Sequence, residues 1–88
     1  MPAASIARIY TEAKNKRRVV DLVSARFESF TVQPTDGYYR GKKESAIVIE
    51  IVGATERQVA PLARRIRSLN GQKSVLVLTT RGNSQVTR

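Results

Sequence analysis

The chain has 88 residues and neither cysteine nor histidine, and 16 lysines and arginines against 7 acidic residues give a net charge of +9. Disulfides, thiolate or imidazole metal sites, Cys–His nucleophiles and Ser–His–Asp triads are therefore excluded, and no metal or cofactor is expected. What remains is a small basic domain whose surface attracts polyanions or phosphorylated ligands.

Residues 5 to 11, SIARIYT, alternate and predict a first strand. The basic loop EAKNKRR follows, with Asn15 placed to cap a helix. Val19, Val20, Val23 and Phe27 recur at helical spacing and predict a helix over 16–27. SFTVQ, residues 29 to 33, predicts a second strand. Pro34 and Asp36-Gly37 either end it at a turn or form a bulge; the bulge is preferred, with the strand continuing through Tyr38-Tyr39-Arg40 and GKKE making the hairpin turn.

SAIVIEIV, residues 45 to 52, is the clearest strand pattern, and Gly53 ends it. Thr55 and Gln58 have capping-box spacing. Val59, Leu62, Ile66 and Leu69 form an apolar helical stripe, and Asn70-Gly71 supplies a stop. Pro61 lies too deep for a first-turn proline and predicts a kink or a delayed start. SVLVLTT, residues 74 to 80, is the last strand. Residues 1–80 thus form a single domain, and 81–88 form a flexible tail without periodicity. The order is the α+β ferredoxin-like βαββαβ plan, a four-stranded antiparallel sheet with two helices on one face.

Two helices can cover one face only, and a sheet with one wet face should alternate apolar and polar residues. The third strand does not: Ile47, Ile49 and Ile51 oppose Ala46, Val48 and Val52. The fourth strand has Val75 and Val77 opposite Leu76 and Leu78. The uncovered face predicts a homo-oligomer, a dimer or a trimer. Glu50 interrupts the apolar pattern and needs a partner, and Arg8 on the neighbouring first strand is the candidate. That pair either fixes strand register or forms the floor of a pocket between subunits.

The segment TDGYYRGKKES, residues 35 to 45, concentrates ligand-binding chemistry. Tyr38 or Tyr39 can stack on a planar group, while Arg40 with Lys42 or Lys43 takes phosphate. Glu50 and Gln72 would read polar groups of the same ligand. Lys14, Lys16, Arg17 and Arg18 crowd the start of the first helix, where they oppose the helix dipole unless an anion binds there. They are the candidate phosphate or nucleic-acid contacts. The third strand lacks the aromatics of an RNA-recognition platform, which leaves nonspecific polyanion binding as the alternative function. Glu50 has no second catalytic partner in view, so no enzyme activity is expected.

No apolar run approaches the roughly 20 residues that span a bilayer. MPAASIARIY lacks a leader pattern, and the expected location is the cytoplasm, without membrane contact.

The pieces Gly37-Tyr38-Tyr39-Arg40, Glu44-Ser45 with Glu50, and Asn70-Gly71-Gln72-Lys73-Ser74-Val75 resemble a group of small bacterial and phage proteins. Their plan is similar to the PII and CutA type of ferredoxin-like domain. The resemblance runs from about Arg26 to Leu78. It implies a compact oligomer with ligands bound between subunits, and the chemistry of residues 35 to 45 makes the expected ligand a phosphorylated small molecule or nucleotide. In a phage setting such a module could sequester a signalling nucleotide. The PII signature loop and its modified tyrosine are not recognisable, so nitrogen signalling is not implied.

Overall fold

Ile9 on one strand and Ile49 on another meet across the middle of the sheet, and the architecture is built outward from that pair. The computed structural model describes residues 5–72 and 75–81. Six elements follow in order: β1 (Ser5–Glu12), α1 (Lys16–Ser24), β2 (Thr31–Tyr39), β3 (Lys42–Val52), α2 (Glu56–Asn70) and β4 (Leu76–Arg81). The strands pair antiparallel in the order β2-β3-β1-β4. This is the ferredoxin-like βαββαβ fold expected from the sequence.

The core lies between the helices and one face of the sheet. Ala7 and Ile9 of β1 and Ile47, Ile49 and Ile51 of β3 supply the sheet side. Val19 and Val23 of α1 and Val59, Leu62 and Ile66 of α2 supply the helix side. Valine is a weak helix former, so α1 depends on this packing. It ends at Ser24, earlier than the apolar spacing predicts. The Val23 carbonyl accepts from both Arg26 and Phe27, which tightens the last turn, and Phe27 packs on the core from beyond the helix.

The predicted capping box is present: the Gln58 amide donates to Thr55 Oγ1, and the Thr55 amide donates to Gln58 Oε1. Gly71 ends α2 in the left-handed region at φ 65. Its amide donates to the Ser68 carbonyl while that of Gln72 donates to the Arg67 carbonyl, the paired bonds of a Schellman stop. Pro61 lies within a single continuous helix, and its missing N–H leaves the Arg57 carbonyl to water on an exposed surface.

Asn15 does not cap α1 as the sequence suggests. It precedes the helix in a left-handed conformation, φ 51, with no side-chain bond to the helix amides. Its Nδ2 instead donates to Asn70 Oδ1 at 3.1 Å. Asn70, buried, donates to Gln72 Oε1 at 2.9 Å and to Thr11 Oγ1 at 3.3 Å, and Thr11 donates to Gln72. This network ties β1, the entry to α1 and the end of α2 together.

The last strand was expected over 74–80 and runs Leu76–Arg81, with Ser74 outside the described residues. The tail beyond Arg81 also lies outside them. Replacing Asn70 with alanine leaves the buried Thr11 hydroxyl and Gln72 carbonyl short of a donor. Asn70→Ala is expected to cost about 1–3 kcal/mol of stability in urea unfolding at fixed protein concentration.

Candidate functional site

Two alternating sets of side chains leave the sheet. One enters the core; the other forms an open face on which no helix of the described residues lies. The open face carries Ile6, Arg8, Tyr10 and Glu12 of β1, Ala46, Val48, Glu50 and Val52 of β3, and Leu76, Leu78 and Thr80 of β4, with Thr31, Gln33 and Thr35 of β2 along its edge. Val52 is 67% exposed, Leu76 54% and Leu78 45%. Such a contiguous apolar face is what protein contacts cover.

Its polar centre is one ion pair. Arg8 stands opposite Glu50 in the register, and Arg8 Nε donates to Glu50 Oε2 at 2.8 Å. Both side chains are about a third exposed, at 36% and 37%, so in an isolated chain the pair contributes little. Cross-strand placement fixes it, since a one-residue slip of β1 would turn Arg8 toward the core and leave Glu50 on the open face.

The β2–β3 hairpin extends past the end of the β1–β3 pairing, which stops at Glu12↔Ala46. Its register is constant from Thr31↔Glu50 to Tyr39↔Lys42. No bulge therefore forms at Pro34 or Gly37: β2 lies on the sheet edge, where the missing proline donor is tolerated. The turn is also shorter than GKKE. Arg40 at φ 51 and Gly41 at φ 80 form a two-residue loop with both φ positive, the primed geometry that matches strand twist. Lys42, Lys43 and Glu44 belong to β3.

That register sorts the candidates. Tyr39 and Lys42 project from the open face, Tyr38 and Lys43 from the other. Both tyrosines are exposed, Tyr38 at 70% and Tyr39 at 61%. The Arg40 guanidinium lies 5.3 Å from the centroid of the Tyr39 ring, a cation–π contact that leaves its charge at the tip. Glu44, expected in the turn, stands on the open face opposite Gly37 and beside Tyr39 and Lys42. Only the register reveals its place; its spacing of six residues from Glu50, an even number, was the signal in the sequence.

Arg8 and Glu50 meet, and the hairpin group meets, but the two groups do not meet each other. Lys42 and Glu50 lie at opposite ends of β3, about 26 Å apart at ~3.3 Å per residue. Gln72 joins neither, being engaged with Thr11 and Asn70 on the helix side of the sheet. The basic run at α1 also divides. Lys14 Nζ lies 3.1 Å from Glu12 Oε1. Lys16 and Arg17 are exposed at the helix start, and Arg18 lines a groove between the helices. Among the described residues no cluster of acidic side chains could hold a metal ion, and no helix is long and apolar enough to cross a membrane.

No protein-family model and no curated protein matches the sequence. The fold does match solved structures. A phage SAM lyase in complex with S-methyl-5′-thioadenosine superposes with a TM-score of 0.72 at 19% identity, over 92% of this chain and 83% of that one. CutA from Synechococcus elongatus, complexed with Bis-Tris, gives 0.63 at 10% identity, over 93% and 82%. A nitrogen regulatory PII-like protein from Thiomonas intermedia, bound to ADP, AMP and bicarbonate, gives 0.62 at 20% identity, over 91% and 89%. The chain has the ferredoxin-like fold of the PII and CutA type, as the sequence resemblance implies.

The turn geometry is directly testable. Gly41→Val forces a β-branched residue to positive φ and is expected to cost at least ~1 kcal/mol locally. Hydrogen exchange should quicken at the amides of Tyr38 to Glu44 and stay unchanged at Ile47 to Ile51.

Proposed function

We propose that the chain assembles through its open sheet face and binds a phosphorylated, adenosine-bearing small molecule between subunits, without turning it over. One observation carries this reading. The open face carries an apolar row on β1, β3 and β4 around the Arg8–Glu50 pair, and the aromatic and cationic tip stands about 26 Å from that pair along the same strand. A nucleotide is too short to touch both groups in one chain. A hairpin reaching across the face of a neighbouring copy brings them together.

In that arrangement Tyr39 stacks on the base, and Arg40 and Lys42 take phosphate, with Lys43 adding charge from the other side of the tip. Arg8 and Glu50 of the neighbouring sheet form the polar floor. Covering the face also removes Val52, Leu76 and Leu78 from water, at roughly 1 kcal/mol each for half-exposed side chains. The ligands of two structural neighbours, ADP and AMP in one and S-methyl-5′-thioadenosine in another, support an adenosine-type ligand.

The likeness to the lyase favours a second reading, in which the bound compound is S-adenosylmethionine: its sulfonium C–S bond breaks, the sulfur keeps the electron pair as S-methyl-5′-thioadenosine, and the departing aminobutyrate carbon closes on its own carboxylate as a lactone. Glu12, Glu44 and Glu50 are the carboxylates that the open face offers to such a reaction. Incubating the protein with S-adenosylmethionine and separating the nucleosides chromatographically distinguishes the two: the binding reading predicts unchanged substrate, the second predicts accumulating thioadenosine.

Binding itself is tested by calorimetric titration with ADP and with S-methyl-5′-thioadenosine. Arg40→Asn keeps a residue that tolerates the left-handed turn and removes the guanidinium. It is expected to weaken ADP binding on the order of tenfold with sedimentation unchanged; equal affinity would overturn the assignment of Arg40. Val48→Lys, at the centre of the open face, is expected to give monomers and to abolish binding together. A monomer that binds normally would overturn the intersubunit site.

A further inference from the structure

The helix layer carries a second feature, on the side of the molecule away from the open sheet face. Beside their buried stripes, both helices present another row toward each other. On α1 this row holds Arg18 and Leu22, continued by Ala25 and Arg26 just past the helix end; on α2 it holds Pro61, Arg64, Arg65 and Leu69. The rows enclose an open groove of about 970 Å³.

The groove has an apolar floor and a basic rim. Leu22, Ala25, Pro61 and Leu69 form the floor. Four arginines, Arg18, Arg26, Arg64 and Arg65, stand around it against a single carboxylate, Asp21. None of the four is paired or hydrogen-bonded within the described residues. Guanidinium groups left free around an apolar trough favour carboxylates carried on an apolar-faced partner.

We propose that this groove is a docking site for an acidic amphipathic helix of a partner protein, lying between α1 and α2. Its apolar side chains fill the floor at i, i+3 and i+4 spacing, and its flanking carboxylates meet the arginines. The nine residues of α1 give a wall of about 14 Å at 1.5 Å per residue, enough for two to three turns of the guest. Other occupants fit less well. Single-stranded nucleic acid is held by aromatic stacking as well as charge, and no aromatic residue lines the groove. A second copy of this chain would bring its own basic helices, KRRVVDLVS or ERQVAPLARRIRSLN, against the arginines.

The test uses the full chain and a fluorescently labelled synthetic peptide with leucines on one helical stripe and glutamates elsewhere. Two competitors are compared with it: a scrambled peptide of the same composition whose leucines share no face, and a single-stranded oligonucleotide of equal charge. Anisotropy titration is expected to show the amphipathic peptide binding on the order of tenfold tighter than the scrambled one. Arg64→Glu and Ala25→Glu, both at exposed positions, are each expected to lose about that factor while thermal unfolding stays unchanged. Equal binding of the two peptides would overturn the proposal, reducing the groove to a nonspecific basic surface. So would tighter binding of the oligonucleotide that the same two variants abolish. Failure here leaves the adenosine site on the opposite face untouched, since neither variant alters a residue of that face.

Discussion

Two helices cannot cover two faces of a sheet. That constraint governs this molecule because its central strands, β1 and β3, are apolar on both sides. The helix side is finished within the chain: Ile9, Ile47, Ile49 and Ile51 are buried against α1 and α2. The other side is left open with the same kind of side chain. Its central ion pair, Arg8–Glu50, is partly exposed in the isolated chain, where such pairs contribute modestly. Under a covering surface the balance changes. The pair then has to stay paired, because a lone buried charge is far more costly than the pair. A centre that is apolar except for one matched pair suits an interface that must be both adhesive and specific in register.

The hairpin follows from the same constraint. β2 and β3 outrun β1, so their distal ends have no core to serve and carry Tyr38, Tyr39, Arg40, Lys42, Lys43 and Glu44 into solvent. The two-residue turn at Arg40-Gly41 fixes which of these share a face. It sets Tyr39, Lys42 and Glu44 on the side of the open sheet, and the length of β3 carries them away from Glu50. Which side chains share a face at this tip therefore depends on backbone geometry at two residues.

Much of this was legible in the sequence, and the reasons are local. The Thr55–Gln58 capping box and the Asn70-Gly71 stop are short-range devices whose partners lie within a turn of each other. The two-sided apolar pattern of SAIVIEIV and the Arg8–Glu50 pairing follow from period-two alternation and strand order. The parts that were not legible depend on distant residues. Asn15 has the composition of a cap, but its side chain is drawn to Asn70, 55 positions away. Gln72 looks like a ligand-reading group until Thr11 and Asn70 are seen to hold it. Pro34 and Gly37 suggest a bulge, and the constant register shows that an edge strand accommodates both without one. Glu44 was hidden for the same reason, since its face depends on where the turn begins.

The molecule thus has two differently built sides, an apolar sheet face with a central ion pair and a helix face with an arginine-rimmed groove. On the first, copies of this chain are proposed to cover the face and share a ligand there. Native mass spectrometry of the full chain, purified gently from cells, is the direct test. A closed multimer carrying extra mass of a few hundred daltons, on the order of one nucleotide per subunit, is the expected result. A bare monomer across the micromolar range would contradict it.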